Sequence, residues 1–384
     1  MTLRFRRITY IIFIIIFLVV TPAIILYAAG YRYNFQKHRL QKTGILILKS
    51  RPEGARIYLS GDLQKSNTPA HLANLVPEDY LIKIEKEGFY PWQKTLPVRS
   101  RTTTFAENVT LFKKNLPTDL TDGDIPLSVL SPDREKIVYL LENETNKEVW
   151  LLNLKDNKKN LLYGTSSGDS LSRSSLEWSH NGQKILITIT DKSFKAKYIV
   201  FDYRTQAATT YKDLNEFYFE FSGVAKKNEL GFTALEDFSF LPGSSNLLAV
   251  LNKKIQDLKI WNIDSGDLIF ETEADSAAWS KNGDKILYTK NFEVWFYNLS
   301  SEQEILITRY SKEIKKIGWI NDNYILALLD NTLKAIELDE RDQRNVTDLL
   351  ELEDIKDFDI DPAGQKIYFI GSLGSKKGVF ELPY

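Results

Sequence analysis

Six times after residue 125 the chain repeats one short phrase: a bulky residue or a serine, a tight polar turn, then alternating apolar residues. The first two copies are Leu130-Ser131-Pro132-Asp133-Arg134 before Lys136-Ile137-Val138-Tyr139, and Trp178-Ser179-His180-Asn181-Gly182 before Lys184-Ile185-Leu186-Ile187. A looser third, Phe240-Leu241-Pro242-Gly243-Ser244-Ser245, precedes Leu247-Leu248-Ala249-Val250. Trp279-Ser280-Lys281-Asn282-Gly283-Asp284, Trp319-Ile320-Asn321-Asp322-Asn323 and Ile360-Asp361-Pro362-Ala363-Gly364 each lead into a similar apolar run. Counted from the second residue of each phrase, the separations are 48, 62, 39, 40 and 41. Each phrase reads as a hairpin turn, and about a dozen residues further on a second alternating run ends in a turn, as at Val149–Leu154, Tyr198–Tyr203, Leu258–Ile263 and Glu293–Leu299.

A period near 40 residues is that of propeller blades, four-stranded sheets that are stable only when stacked on their neighbours. Residues 125–384 resemble TolB-type and WD-repeat propellers, in which a Trp-Ser-Pro-Asp-Gly turn opens each blade. The resemblance implies an architecture and little chemistry, because propellers host many functions. Trp178, Trp279 and Trp319 read as packing residues. The blade count reads as six or seven, since residues 206–236, with Leu214, Phe217, Phe219 and Phe221, fit a further blade that has lost its turn.

At the other end, Ile8 to Tyr31 carry no charge, enough apolar helix to cross a hydrocarbon core of about 30 Å. A single membrane anchor is predicted, with Pro22 tolerated inside it. A cleaved signal peptide is the rival, because Ala28-Ala29-Gly30 offers small residues at a suitable spacing. Basic residues flank both ends (Arg4, Arg6 and Arg7; Arg32, Lys37, Arg39 and Lys42), so charge alone does not orient the helix. A short tail before the helix with the bulk beyond it places residues 32–384 outside the cytoplasm. Cysteine is absent, so disulfides, thiolate nucleophiles and Cys-ligated metals have no donors.

Between helix and repeats, Gly44–Ser50 and Arg56–Leu59 read as strands joined by Pro52-Glu53-Gly54-Ala55, a hairpin connector by its proline and glycine. Strands are further predicted at 80–86, 93–98 and 105–111. This stretch resembles the PEGA domain, named for that tetrapeptide. The likeness extends through Asn67-Thr68-Pro69, Leu75-Val76-Pro77 and Lys86-Glu87-Gly88-Phe89-Tyr90-Pro91-Trp92. Pro77-Glu78-Asp79-Tyr80 departs from the family's usual proline-glycine. The resemblance implies a small β-sandwich of envelope proteins without known catalysis. Phe89, Tyr90 and Trp92 are the candidate binding residues, either as an exposed platform or as a corner packed into the small core.

Residues 1–42 hold seven Lys or Arg and no acid, leaving 43 basic against 51 acidic residues and a net charge of −8 beyond them. A basic collar suits anionic headgroups, and an acidic body argues against nucleic acid. Lys158-Lys159 and Lys315-Lys316 read as solvated blade edges. The histidines are His38, His71 and His180, too dispersed to share a metal, and neither a nucleophile elbow nor a phosphate loop is present. No cofactor is implied. Catalysis in the propeller channel would require carboxylates such as Asp133, Asp191, Asp275 or Asp361 to converge, with or without His180.

The sequence thus predicts a mainly β chain: residues 1–42 with the membrane helix, 43–113 a PEGA-like sandwich, and 114–384 a propeller of six or seven blades. The function expected is non-catalytic recognition of an envelope protein or glycan. An envelope hydrolase or lyase, and a structural tether, are the alternatives.

Overall fold

In the computed structural model, which describes residues 3–34, 39–143, 146–164, 173–190, 196–222, 238–242 and 247–384, the uncharged N-terminal run is a helix, Leu3–Ala28. Its Thr9–Ala28 portion has a mean hydropathy of 3.0 and is long enough to cross a membrane. Phe13, Phe17, Leu18 and Val19 are all more than half exposed, so this apolar surface is not covered by any of the described residues. The helix ends where Gly30 adopts a φ of +80° and its N–H donates to the Tyr27 carbonyl, a left-handed cap that glycine enters without strain. Beyond it, Tyr31–Asn34 pairs with Arg39–Lys42, and the Arg32 guanidinium lies 3.7 Å from the centre of the Tyr27 ring.

The chain divides into two units. The first, Met1–Lys114 with Asp339–Asn345, contains the sandwich. One sheet orders Ala70–Leu75, Gly44–Arg51 and Thr103–Thr110; the other orders Asp62–Leu63, Arg56–Leu59, Asp79–Glu85 and Trp92–Pro97. Alternation turns Leu46 and Leu48 of one sheet toward Ile57, Ile82, Ile84 and Leu96 of the other, all fully buried. Pro52-Glu53-Gly54-Ala55 is therefore not a hairpin connector: the strands on either side lie in different sheets. The crossing is held by Thr68, whose hydroxyl takes the Ala55 N–H at 3.0 Å and meets Ser50 Oγ at 2.7 Å, while its carbonyl takes the Gly54 N–H. Lys94, 1% exposed, is the buried cation here: its ammonium donates to the Asp339 carbonyl at 2.7 Å and lies 3.6 Å from the Asp339 carboxylate. A charge that deep is stable only with such partners.

The second unit, Asn115–Leu338 with Val346–Tyr384, contains six four-stranded antiparallel sheets among the described residues. In each blade the first strand is an edge of its sheet (Asp124–Leu130, Arg173–Trp178, Phe238–Pro242, Ser276–Trp279, Ile314–Asn321 and Asp354–Asp361), and those of the first, second, fourth, fifth and sixth blades meet one another on the inner side. In the five blades whose turn is described, the repeated phrase forms the turn from this strand to the second, as its spacing predicts. Ser131, Ser179 and Ser280 show why it recurs. Each is buried, exchanges backbone hydrogen bonds across the turn, and accepts a second N–H on its hydroxyl, from Lys136, Lys184 and Lys285 at 2.9, 2.9 and 3.1 Å. In the sixth blade Asp361 takes over, its carboxylate accepting the Ala363 and Gly364 N–H groups at 3.1 Å.

The tryptophans tie one blade to the one before. Trp178 Nε1 donates to the Val129 carbonyl at 3.1 Å, and Trp319 Nε1 to Ala278 at 2.9 Å. Apolar faces fill the space between sheets, with Val138, Leu140 and Val149 against Ile185, Ile187 and Ile199, and Ile137 and Tyr139 against Tyr368 and Ile370. The sixth sheet takes its fourth strand from the start of the unit, Thr118–Asp119 pairing with Lys376–Pro383.

Among the described residues no seventh blade begins at residue 206. Ala207–Tyr211 is the outer strand of the second blade, followed by short helical segments at Leu214–Glu216 and Tyr218–Ser222. Leu214, Phe217, Tyr218 and Phe221 pack together at helical spacing, and this overrides the alternation that suggested a strand. Residues 223–236 of that expected blade, and the turn Gly243-Ser244-Ser245, lie outside the described residues.

Candidate functional site

In the second unit, the inner strands of the fourth, fifth and sixth blades border a cavity of about 440 Å³ at their phrase-bearing ends. Three facts of sequence make room for it. Gly318 stands where a β-carbon would lie 2.9 Å from Ile360 Cδ1, so the fifth and sixth inner strands approach closely. Ala278 adds little bulk, and the phrase tryptophans Trp279 and Trp319 supply an aromatic wall. Arg134 and Lys281, both exposed in first-to-second-strand turns, stand at its rim, and neither forms a side-chain ion pair among the described residues.

Deeper in, Lys316 lies between two carboxylates on one face of the neighbouring strand, 2.9 Å from Asp357 and 3.3 Å from Asp359. The second oxygen of Asp359 accepts the Leu130 N–H at 2.8 Å, which brings in the first blade. Burial alone would depress the Lys316 ammonium, but the charges of Asp359 and Asp357 outweigh it and raise it above the ordinary lysine range. Burial pushes the Asp357 carboxyl up, with the Lys316 charge opposing. Lys316 is therefore a protonated donor at neutral pH; an amine poised for nucleophilic attack needs the reverse shift. Its role as a solvated blade edge is overturned: Lys316 lines the cavity, and Lys315, though exposed, donates to Asn331 Oδ1 at 3.2 Å and to the Ile355 carbonyl at 3.1 Å.

Of the carboxylates named for catalysis, Asp133, Asp275 and Asp361, the described ones, do not meet. Asp133 caps its own turn, accepting from Ser131, the Glu135 N–H and Lys136, and Asp361 caps the equivalent turn of the sixth blade. Asp275 sits at the opposite ends of the strands, bonded to Gln256. Asp191 lies outside the described residues. His180 is exposed, its backbone N–H donating to the Phe221 carbonyl. No cluster of metal-ligating side chains occurs among the described residues.

The three aromatic candidates lie in the first unit and do not form a platform. Trp92 opens a strand whose alternation turns it inward, leaving it 3% exposed in the sandwich core, and Phe89 packs against that core. Tyr90 is half-buried, with Lys114 Nζ 5.4 Å from its ring centre. The axial charged group escaped sequence reading because Lys316 and Asp357–Asp359 are about 40 residues apart and belong to no repeated motif. The available signal was the run of three aspartates at period two, Asp357, Asp359 and Asp361, on an inner strand.

Among the described residues, helix, two-sheet sandwich and six stacked blades define one candidate membrane span and two β modules of the binding or scaffold type. Residues 43–115 match the PEGA domain family. No curated protein matches the chain. Among solved structures, it is similar to the β-propeller domain of the Trilobed protease from Pyrococcus furiosus, at 14% identity over 85% of this chain and 88% of that one, with a TM-score of 0.38. It is similar to TolB from Acinetobacter baumannii at 13% identity, covering 85% and 65% of the two chains, TM-score 0.38. The β-propeller domain of Myceliophteria thermophila Cps50 (Swd1) shows 10% identity over 70% of this chain and 99% of that one, TM-score 0.45. The six sheets themselves, not these distant likenesses, define the architecture.

Proposed function

We propose that this chain is a single-pass membrane protein that recognises a protein or glycan ligand outside the cytoplasm, with residues 1–42 as anchor, 43–113 as spacer or docking module, and 114–384 as the ligand-binding propeller. The observation that carries this reading is the axial cavity of about 440 Å³, with an aromatic wall, a fixed ammonium inside and two rim cations that form no side-chain ion pair among the described residues. A concave site with a few placed polar groups on a stiff frame suits recognition. The rim cations favour a partner that presents a carboxylate or another anion. In the sandwich, the partly exposed Tyr90 and Phe89 are the positions from which a docking contact would be made.

Residues 43–384, produced without the helix, are expected to fold and to retain a component of membrane extracts. Reversing the rim charges with Arg134→Glu and Lys281→Glu should weaken retention about tenfold without unfolding the protein. A folded protein that retains nothing, or retention indifferent to both charge reversals, overturns the proposal.

A further inference from the structure

The propeller has a second cavity, at the opposite ends of the strands. It measures about 760 Å³ and is bordered by second-to-third-strand turns of the third, fourth and fifth blades and by the segments entering the fourth and fifth. Its rim carries a residue that folding does not explain. Lys290 pairs with Glu293, so Asn291-Phe292 is a two-residue hairpin loop, and both residues have positive φ, 48° and 67°. That is a type I′ turn, whose second position favours glycine and disfavours a bulky side chain. Packing does not compensate Phe292, because its side chain remains 50% exposed.

The remainder of the cavity is polar and held in place. Asp275 accepts from Gln256 Nε2 at 2.8 Å and from the Asn291 N–H at 3.3 Å. Thr289 and Ser276 share a hydroxyl contact at 2.8 Å, and Lys312 is paired with Asp330. Glu313 is exposed and has no cationic partner among the described residues.

We propose that this groove binds a saccharide. One C–H face of a sugar ring would lie on Phe292, and its hydroxyls would donate to Asp275 and Glu313 and accept from Gln256. An aromatic face beside fixed carboxylate and amide groups matches the two-sided chemistry of a pyranose. The acidic lining disfavours an anionic ligand, and the polar walls disfavour an apolar one. The inference rests on the reading of the propeller as a recognition surface, and goes beyond it by adding a second site with its own ligand class and residues.

The test uses the full-length protein in a non-glycosidic detergent, probed with an array of defined neutral and amino oligosaccharides and, in parallel, a lysine-rich peptide. Retention of a saccharide class is expected, lost about tenfold or more in Phe292→Gly and kept in Phe292→Trp. Because glycine suits the turn, Phe292→Gly should also melt about 2 °C higher, which separates lost binding from lost folding. Glu313→Gln should weaken retention less, by a few-fold. The inference is overturned if no saccharide is retained, if Phe292→Gly binds as wild type does, or if only the basic peptide binds. Should saccharides fail while a membrane-extract partner is still captured in a manner sensitive to Arg134 and Lys281, the inference falls and the recognition reading stands. If both captures fail, both fall.

Discussion

The two ends of the propeller strands obey different rules. At one end the turns repeat: buried Ser131, Ser179 and Ser280 satisfy the backbone in the same way each time, and the tryptophans reach back to the preceding blade. At the other end the turns differ from blade to blade: Asn291-Phe292, Asp330-Asn331 and Gly374-Ser375 occupy equivalent two-residue loops. Repetition marks where folding dictates the residue, and variation marks where the frame leaves side chains free for other work. The axial cavity shows the converse case: its walls come from the repeated phrase, but its charged interior belongs to two inner strands alone.

The largest effect that would sharpen this contrast falls at neither end, but where the sixth sheet receives its last strand. A β-carbon at Gly378 would lie 2.3 Å from the Thr121 carbonyl oxygen. Gly378→Val should therefore cost on the order of 3 kcal/mol or more, read as a collapse of the denaturation midpoint. A midpoint within error of wild type would show that the seam contributes nothing.

Next comes Lys316→Met, which leaves Asp357 and Asp359 without their cation. The expected loss is about 1–3 kcal/mol, less than for a fully buried pair because 35% of the Lys316 side chain is reached by water. Lys316 has a raised folded value, so its contribution is complete below the unfolded lysine value of about 10.4 and fades as pH rises through the higher folded one. Asp357 is also raised, so ionising it above the ordinary carboxylate range of about 4 costs stability, the more so without Lys316. The deficit of the variant relative to wild type should thus grow from pH 4 toward neutrality and shrink in strong alkali. A pH-independent deficit would remove the electrostatic account.

Ser179→Ala strips the shared acceptor from a repeated turn and leaves the Lys184 N–H short of a partner, at a cost of about 1–2 kcal/mol by chemical denaturation. The smallest effect is of opposite sign. Phe292→Gly at the variable end should gain about 0.5–1 kcal/mol by the same measurement. If Ser179→Ala were neutral and Phe292→Gly destabilising, the division between a folding end and a free end would be wrong.

Much of the frame was legible in the sequence because it repeats or alternates. The phrase positions, the packing role of the tryptophans and most sandwich strands follow from local pattern. The errors have physical causes. Alternation at Phe217 and Phe221 concealed the helical set of Leu214, Phe217, Tyr218 and Phe221, which tertiary packing selected. Proline and glycine in Pro52-Glu53-Gly54-Ala55 signal a bend but not which sheet follows it. Trp92 looked available for binding until its strand phase turned it inward. The axial group of Lys316, Asp357 and Asp359 is assembled only by blade stacking, so no window of local sequence contains it.

The strand Thr118–Asp119 carries a consequence in time. Its partner residue for Thr118 is Glu381, 263 positions later. At synthesis rates of about 5–20 residues per second, the opening strand of the propeller waits on the order of tens of seconds before its edge can be paired. An exposed edge in a nascent chain invites pairing with other chains. Here the waiting strand is two residues long and polar, too short and too hydrophilic to serve as a template, so the chain can leave its first strand open until its last one arrives.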